Sequence, residues 1–279
     1  MSRQPGLRRT RLVRHREVAF PVPPVRREVL TAVPADAGDR PPLLFVPGFG
    51  AGAWVFAEHW LDHAAGRGFP AYAVSLRGHG GSGRRPRTTL RAYVHDVVQT
   101  ACGLPRQAVL VGHGAGALVV AMALARYAAR AAVLAAPVFG GPATALRALW
   151  RHPLGTLPAL VGGPLRLRRG QLFGRGFPAA EARAYQRRMG RAAPLAQWQL
   201  LAHRAPERPV GDPPVLVLGS PDDAVVSGRE LARVARRYGG APLLFPGMGH
   251  ALMLDRGWRE PLDAMLDWLE KVTAERGAG

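Results

Sequence analysis

The sequence predicts an α/β protein with a mostly parallel twisted sheet, helices on both faces, and a helical cap inserted after the sixth strand. Three observations lead to this fold class. Short apolar runs alternate with helix-length segments over residues 42–139, the alternation stops over residues 140–211, and it resumes from residue 212. Continuous apolar strands separated by amphipathic helices are typical of a parallel sheet that is covered on both faces.

The first half of the chain supplies the six strands that precede the cap. After a basic arm at residues 1–24, we expect two short strands within Glu17–Pro34. Four apolar runs predict the next strands: residues 42–49, 69–76, 107–114 and 130–139. Helices are predicted between them at Ala53–Gly66, from a cap at Thr88 or Thr89, and after Gly114.

The second half divides into a cap and the end of the sheet. Residues 140–211 offer no convincing strand, only three short helical pieces separated by Gly-Pro and Pro-rich breaks: Ala143–Trp150, Pro178–Met189 and Pro194–Leu201. Strands at residues 213–220 and 241–247 then alternate with helices at Ser227–Tyr238 and Arg259–Arg276. The predicted core is therefore 25–139 with 212–279, and the predicted cap is 140–211.

Composition limits the function classes. The 279 residues are 48% hydrophobic, which excludes wholesale disorder, and the single cysteine excludes an intramolecular disulfide or a multi-cysteine metal cluster. There are 38 basic and 19 acidic residues, a net charge of +19, and only one of the basic residues, Lys271, is a lysine. Either a GC-rich coding bias or a polyanionic partner explains this balance. The chain has no recognised nucleic-acid-binding motif, so no nucleic-acid partner is expected.

The longest apolar run has the length of a membrane span but not its continuity. Ala108–Ala125 is interrupted by the sequence GHGAG, which separates a strand-like half from a helix-like half. The arginine-rich start of the chain is followed by prolines and charges rather than by the apolar stretch of an export signal. We therefore expect a soluble, cytoplasmic protein, with a membrane-peripheral location if the positive charge acts on an anionic surface.

Four glycine-rich or acidic segments occur in a fixed order at predicted strand ends. They are Phe45-Val-Pro-Gly-Phe-Gly50, Arg77-Gly-His-Gly-Gly-Ser-Gly83, Gly112-His-Gly-Ala-Gly116, and the pair formed by Pro221-Asp222-Asp223 and the FPGMGH segment that ends at His250. Together they resemble the α/β-hydrolase fold superfamily, in particular its lysophospholipase, monoacylglycerol lipase and esterase members. The resemblance covers roughly residues 25 to 275.

The resemblance implies a role for each position. Gly112–Gly116 corresponds to the nucleophile elbow G-x-S-x-G, and the backbone amides of Phe49 and Ala115 correspond to the oxyanion hole. His250 would be the base and Asp223 the acid that orients it, with Asp222 as the alternative acid. His113, beside the elbow centre, is expected to pack away from the site.

The elbow departs from the family pattern at its central position, because Gly114 stands where the nucleophilic serine is expected. Glycine has no nucleophilic atom, so hydrolysis through an acyl-enzyme is not expected. Three interpretations stay open. The protein binds a ligand without hydrolysing it, His250 and Asp223 activate water or abstract a proton without a covalent step, or glycine was introduced in place of a native serine.

The resemblance implies small lipophilic esters or lysolipid-like molecules as ligands, with an anionic membrane surface as a further partner if the arginines of the cap have a function. No cofactor and no metal are predicted. His59 and His63 have a helical spacing that suits zinc, but without a third ligand they are assigned to a helix surface. Ser75 and Ser82 are interpreted as loop residues. The sequence does not indicate an oligomeric state.

Overall fold

A computed structural model describes residues 19–141, 167–203 and 206–275, with the single positions 146, 150, 153 and 163. Its described residues form a seven-stranded sheet in the order β1-β3-β2-β4-β5-β6-β7. The strands are β1 (Val29–Ala32), β2 (Leu43–Val46), β3 (Ala71–Val74), β4 (Val109–His113), β5 (Ala131–Ala135), β6 (Val215–Gly219) and β7 (Leu243–Leu244). Only β1 runs antiparallel to its neighbour; every other pairing is parallel. The predicted fold class is confirmed.

Nine helices accompany the sheet in the described part of the chain. They are α1 (Trp54–Ala57), α2 (Trp60–Gly66), α3 (Leu90–Cys102), α4 (Ala115–Ala123), α5 (Arg169–Leu172), α6 (Ala179–Arg188), α7 (Pro194–Leu201), α8 (Gly228–Arg237) and α9 (Arg259–Glu275). A 3₁₀ turn at Leu252–Leu254 follows β7. Two apolar clusters cover the sheet: α1, α2 and α9 contribute to one, and α3, α4 and α8 to the other. Strands β2, β4 and β5 are fully buried because both faces of the sheet are covered.

Helix starts follow the capping chemistry of the sequence. Thr89 caps α3, since its side chain accepts a hydrogen bond from the amide of Ala92. Ser227 caps α8 in a reciprocal arrangement with Glu230. Both caps satisfy amides that the first helical turn leaves without an internal partner. The predicted helix Ala53–Gly66 is instead two helices, α1 and α2, because His59 leaves the helical conformation with φ −147°.

The segment before β2 corrects one prediction. Two strands were expected within Glu17–Pro34, but the described residues 19–34 contain one, β1. Pro21, Pro23 and Pro24 have no amide to donate, which keeps this stretch out of the ladder. The inserted segment therefore follows the fifth described strand rather than the sixth.

Helices α5, α6 and α7 lie between β5 and β6, where the alternation of the sequence stops. The predicted pieces Pro178–Met189 and Pro194–Leu201 correspond to α6 and α7. The predicted helix Ala143–Trp150 falls mostly on residues outside the described part, as does most of the basic arm at 1–24. Among the described residues, no helix combines the length and hydropathy that a bilayer span requires.

Candidate active site

The turn between β4 and α4 has the backbone path of a nucleophile elbow. Gly114 lies between the last residue of β4 and the first of α4 with φ +55° and ψ −124°, a conformation that favours glycine. The flanking glycines are required by close packing. A Cβ on Gly112 would lie 2.6 Å from the Cα of Ala117, and a Cβ on Gly116 would overlap the carbonyl oxygen of Pro47. The sequence therefore builds a sharp strand-to-helix turn that holds position 114 at the end of the sheet.

Position 114 faces His250. A Cβ built on Gly114 would lie 3.2 Å from His250 Nε2 and 3.8 Å from His250 Cε1, with the Cα of Gly48 as its other neighbour at 3.8 Å. A side chain at this position would therefore point at the imidazole. Compared with a residue that has a side chain, Gly114 lacks the β-carbon and any group attached to it.

His250 and Asp223 form a buried pair. Nδ1 of His250 donates to Oδ2 of Asp223 at 2.8 Å, and both side chains are almost fully excluded from solvent. The other carboxylate oxygen of Asp223 accepts hydrogen bonds from the amides of Val225 at 2.6 Å and Val226 at 3.1 Å. The carboxylate is thus held by three donors. Because Nδ1 carries the shared hydrogen, Nε2 presents its lone pair toward Gly114 in neutral imidazole.

Asp222 has a different environment from its neighbour. It is exposed, and its Oδ2 accepts a hydrogen bond from the amide of Gly247 at 2.7 Å. Its own amide is bound by the hydroxyl of Ser220 at 3.1 Å. Of the two candidate acids, Asp223 is the one that contacts the imidazole.

Phe49 lies in the loop after β2, and Ala115 is the first residue of α4, next to Gly114. A Cβ on Gly48 would lie 3.4 Å from the carbonyl oxygen of His113 and 3.8 Å from the amide nitrogen of Ala115. The loop that follows β2 therefore packs directly on the elbow. Neither the Phe49 amide nor the Ala115 amide has an acceptor among the described residues. These two amides are therefore not used by hydrogen bonds within the described part of the chain.

His113 contacts the site, contrary to the expectation that it packs away from it. Its Nε2 donates to the carbonyl oxygen of His250 at 2.9 Å, and the two rings lie 4.8 Å apart. Burial, and to a lesser degree the positive charge of a protonated His250, lowers the pKa of His113 to about 3. A histidine that stays neutral keeps a single Nε2 hydrogen directed at the backbone of His250. Nothing in the sequence indicated this contact between residues 137 positions apart.

The loop at Arg77–Gly83 lies next to the loop that carries Phe49. Arg77 forms a buried bidentate pair with Asp96 of α3, with Nη2–Oδ1 and Nε–Oδ2 distances of 2.7 and 2.9 Å. The ring of His79 then lies 6.4 Å from that of Phe49, and burial lowers the pKa of His79. Tyr93 packs edge-on against Phe49 at 5.3 Å, and burial raises its pKa to about 12.

The inserted segment reaches the same loop. The amide of Gly190, just after α6, donates to the carbonyl oxygen of Gly50 at 2.6 Å. The amide of Ala193 donates to the hydroxyl of Tyr93 at 3.2 Å. The chain between α6 and α7 is therefore bound both to Gly50, in the loop after β2, and to Tyr93, which packs on Phe49 of the same loop.

The remaining sequence candidates lie in structural contacts. Ser75 accepts from the amide of Ala53 and donates to the carboxylate of Glu28. Ser82 donates to the carbonyl oxygen of Ser75 at 2.6 Å. Both hydroxyls thus join β1, β3 and the loop at residues 77–83.

The two histidines with zinc-like spacing contact α9 and the turn before it. His63 pairs with Asp263 at 2.6 Å, and His59 stacks on Trp258 with ring centroids 4.8 Å apart. Within the described ranges, no three His, Cys, Asp or Glu side chains are grouped as metal ligands would be.

Comparison with known proteins identifies the relatives of this architecture. Residues 43–266 match the model of the alpha/beta hydrolase family, whereas a search of curated proteins returned no match. This range includes the loop after β2 that carries Phe49, the elbow, Asp223 and His250.

Solved structures with three different descriptions share the fold. A monoacylglycerol lipase from Paleococcus ferrophilus superposes with a TM-score of 0.66 at 20% identity, over 89% of this chain and 99% of that one. A putative aryl esterase from Burkholderia cenocepacia gives 0.65 at 18%, over 90% and 96%. A putative non-heme bromoperoxidase from Mycobacterium tuberculosis gives 0.64 at 22%, over 90% and 97%. At these identities the likeness shows the fold alone, and the activity has to be argued from the site.

Proposed function

Because the chain belongs to the alpha/beta hydrolase family, we propose that it hydrolyses small lipophilic carboxylic esters by direct attack of a water molecule that His250 activates. One observation carries the proposal. The buried Asp223–His250 pair is intact at 2.8 Å, and its second ring nitrogen lies 3.2 Å from the position of a Cβ on Gly114. A base is therefore held and aimed at the position where the family places its nucleophile.

The reaction needs no atom from residue 114. Nε2 of His250 takes a proton from water while the water oxygen bonds to the ester carbonyl carbon. The resulting oxyanion accepts hydrogen bonds from the amides of Phe49 and Ala115. When the tetrahedral intermediate collapses, the C–O bond to the alcohol breaks and the leaving oxygen takes the proton back from His250. The products are an alcohol and a carboxylic acid, which ionises, and the protein returns to its starting state.

The expected rate is low by the standards of the fold. General-base catalysis contributes about 10²–10⁴-fold, and a serine protease that lacks its triad retains roughly 10³–10⁴-fold over water from its oxyanion hole and binding. This protein keeps both the base and the amides but lacks the serine. We therefore expect a rate enhancement over water of the same order as these two values. Slow turnover without an acyl-enzyme is the expected behaviour.

The segment packed beside His250 is apolar, which supports a lipophilic substrate. The amides of His250 and Ala251 donate to the carbonyl oxygens of Gln171 and Leu172, which places α5 directly beside the base. Phe173 follows, and its ring stacks on that of Phe177 at 4.1 Å. Monoacylglycerol-like and lysophospholipid-like esters, which the family resemblance also implies, have an apolar chain that is chemically compatible with these apolar neighbours.

A second candidate function rests on Gly114 itself. Because this position carries no nucleophile, the second candidate is a protein that binds the same esters beside His250, through the amides of Phe49 and Ala115, and does not hydrolyse them. A native serine hydrolase in which serine was exchanged for glycine is the third case. It differs from the others in having evolved its remaining site for the acyl-enzyme route.

Hydrolysis of p-nitrophenyl butyrate by the full chain tests the proposal. We expect slow, burst-free release of nitrophenol, loss of that activity to background in His250→Ala, and no covalent adduct with a fluorophosphonate by intact mass. His59→Ala serves as the matched control, because that ring stacks on Trp258 outside the site. Background activity in the unaltered chain together with saturable binding of the ester favours the binding protein. Equal activity in His250→Ala refutes the mechanism.

A further inference from the structure

The inserted segment between β5 and β6 carries a dense group of exposed arginines. Residues 167–203 contain one acidic residue, Glu181. Seven arginines in this stretch are exposed, and five of them are here called the basic face: Arg168, Arg169, Arg175, Arg183 and Arg187. The other two are Arg188 and Arg191. The excess of positive charge in this segment is therefore displayed on its surface.

Helix α6 shows how the sequence produces this display. Ala182 and Tyr185 are buried, whereas Arg183 and Arg187 are one turn apart on the exposed side. Like charges at this spacing repel one another and destabilise a helix. Their presence on a solvent face is explained if a partner of opposite charge covers them.

The basic face differs from the other arginine of α6. Arg188 pairs with Glu58, and its guanidinium lies 3.9 Å from the ring centroid of Trp54. Among the described residues, none of the five arginines of the basic face has a carboxylate partner. The face thus presents five cations whose charge is not neutralised within the described part of the chain.

Exposed apolar side chains in the same inserted segment favour an anionic bilayer over a nucleic acid as the partner. Trp150 is 88% exposed and Leu146 is 67% exposed. A nucleic-acid duplex offers phosphates but no apolar layer for such groups. An anionic bilayer offers phosphates together with a headgroup region in which tryptophan is favoured.

The basic face is connected to the candidate site. Gly190, two residues after the end of α6, is bound to Gly50 in the loop after β2 that also carries Phe49. Arg188 packs on Trp54 of α1. A surface that docks through α6 therefore brings the loop that carries Phe49 close to the lipid, where lipophilic esters are dissolved.

We propose that the basic face docks on a bilayer surface that contains anionic lipid, with Trp150 and Leu146 as apolar anchors. The docking does not require turnover, so it stands or falls independently of the proposed hydrolysis.

Sedimentation of the full chain with sucrose-loaded vesicles tests the docking. The vesicles are phosphatidylcholine alone or phosphatidylcholine with one quarter phosphatidylglycerol, at low and at high salt. An arginine near an anionic surface contributes roughly fivefold to partitioning, so Arg183→Gln with Arg187→Gln should weaken binding about 25-fold. The matched control is Arg229→Gln with Arg233→Gln, two exposed arginines at the same spacing on α8. This control pair removes the same charge and should retain binding.

Binding to a DNA duplex, measured beside vesicle binding, distinguishes a bilayer partner from a nucleic acid. Trp150→Ala should weaken vesicle binding and leave binding to the duplex unchanged. The proposal is overturned by equal binding to pure phosphatidylcholine, or by equal losses in the two arginine pairs, which would assign binding to net charge. It is also overturned if the Arg183 and Arg187 pair affects only the duplex. Unchanged far-UV circular dichroism of each variant shows that the fold is retained.

Discussion

The elbow and the Asp223–His250 pair are the two halves of the candidate site, and they differ in what they retain. At the elbow the backbone path is present, with Gly114 at φ +55° between β4 and α4, but the central side chain is absent. In the pair both parts are present, because His250 contacts Asp223 at 2.8 Å and Asp223 is bound by two further amides. The elbow has the backbone geometry of the site but no reactive side chain, whereas the pair has both the geometry and the side chains.

This difference shows that geometry and reactivity are separable at the end of this sheet. Glycine is required at positions 112 and 116, where a Cβ would meet backbone atoms. At Gly114 the nearest atom to a Cβ is a ring nitrogen at 3.2 Å, and the positive φ costs another residue about 1–3 kcal/mol. Packing therefore does not demand glycine at 114, and the remaining site should accept a serine.

The largest effect is expected from Gly114→Ser, which makes the two halves alike. Loss of a catalytic serine lowers turnover by about 10⁶ in a complete triad, so its introduction should raise ester hydrolysis by several orders of magnitude. The serine should also form a covalent adduct with a fluorophosphonate, measured by intact mass.

Gly114→Ala is the control for the added serine, because it adds the β-carbon without the hydroxyl and should give neither a gain in activity over the unaltered chain nor an adduct. A serine variant that folds but is not labelled would show that the two halves have moved out of register. Thermal unfolding of all three proteins checks that the fold is retained.

The next largest effect compares two adjacent carboxylates. Asp223→Asn removes the acceptor that holds the Nδ1 hydrogen of His250, and should lower ester hydrolysis by about 10²–10⁴, the whole general-base contribution. Asp222→Asn should change it little, since Asp222 binds the Gly247 amide at the surface. Initial rates with p-nitrophenyl butyrate measure both. Equal losses in the two variants would mean that hydrolysis depends on the conformation of the loop that carries both residues, and not on the contact of Asp223 with the imidazole.

The fold was largely predictable from the sequence, because it depends on local patterns. Apolar runs indicated β2 to β5 in order. The start of α3 was predicted at Thr88 or Thr89, of which Thr89 is the cap, and the start of α8 was predicted near Ser227. The prediction was wrong before β2, where proline removed a strand, and at His59, which divides one predicted helix. In both places a few residues, the three prolines and His59, override the periodicity around them.

The candidate site was predictable as far as motif order goes. Counting along the chain left Asp222 and Asp223 open, because the two alternatives differ only in which side chain turns inward, and that depends on the position of His250. The contact of His113 with His250 was not predictable, since it depends on packing between the elbow and a loop far away in sequence. The contact of Gly190 with Gly50 is of the same kind.

The smallest expected effect tests His113, the residue that joins the two halves. Its pKa of about 3 in the folded protein lies below the ordinary value of about 6.5. Between these values the unfolded chain binds a proton that the folded chain does not. The contribution of His113 to the free energy of unfolding is therefore fully present above pH 6.5 and falls by about 1.4 kcal/mol per pH unit as the pH decreases toward 3.

Urea unfolding at a series of pH values measures this slope, and His113→Gln should reduce it by that amount, because glutamine does not titrate. Burial also lowers the pKa of His79, so His79→Gln should reduce the slope in the same direction. The double variant should show the sum, since the two rings do not contact each other. A slope in His113→Gln equal to that of the unaltered chain would mean that His113 becomes charged in the folded state. The hydrogen bond from His113 to the His250 carbonyl would then not depend on a neutral ring.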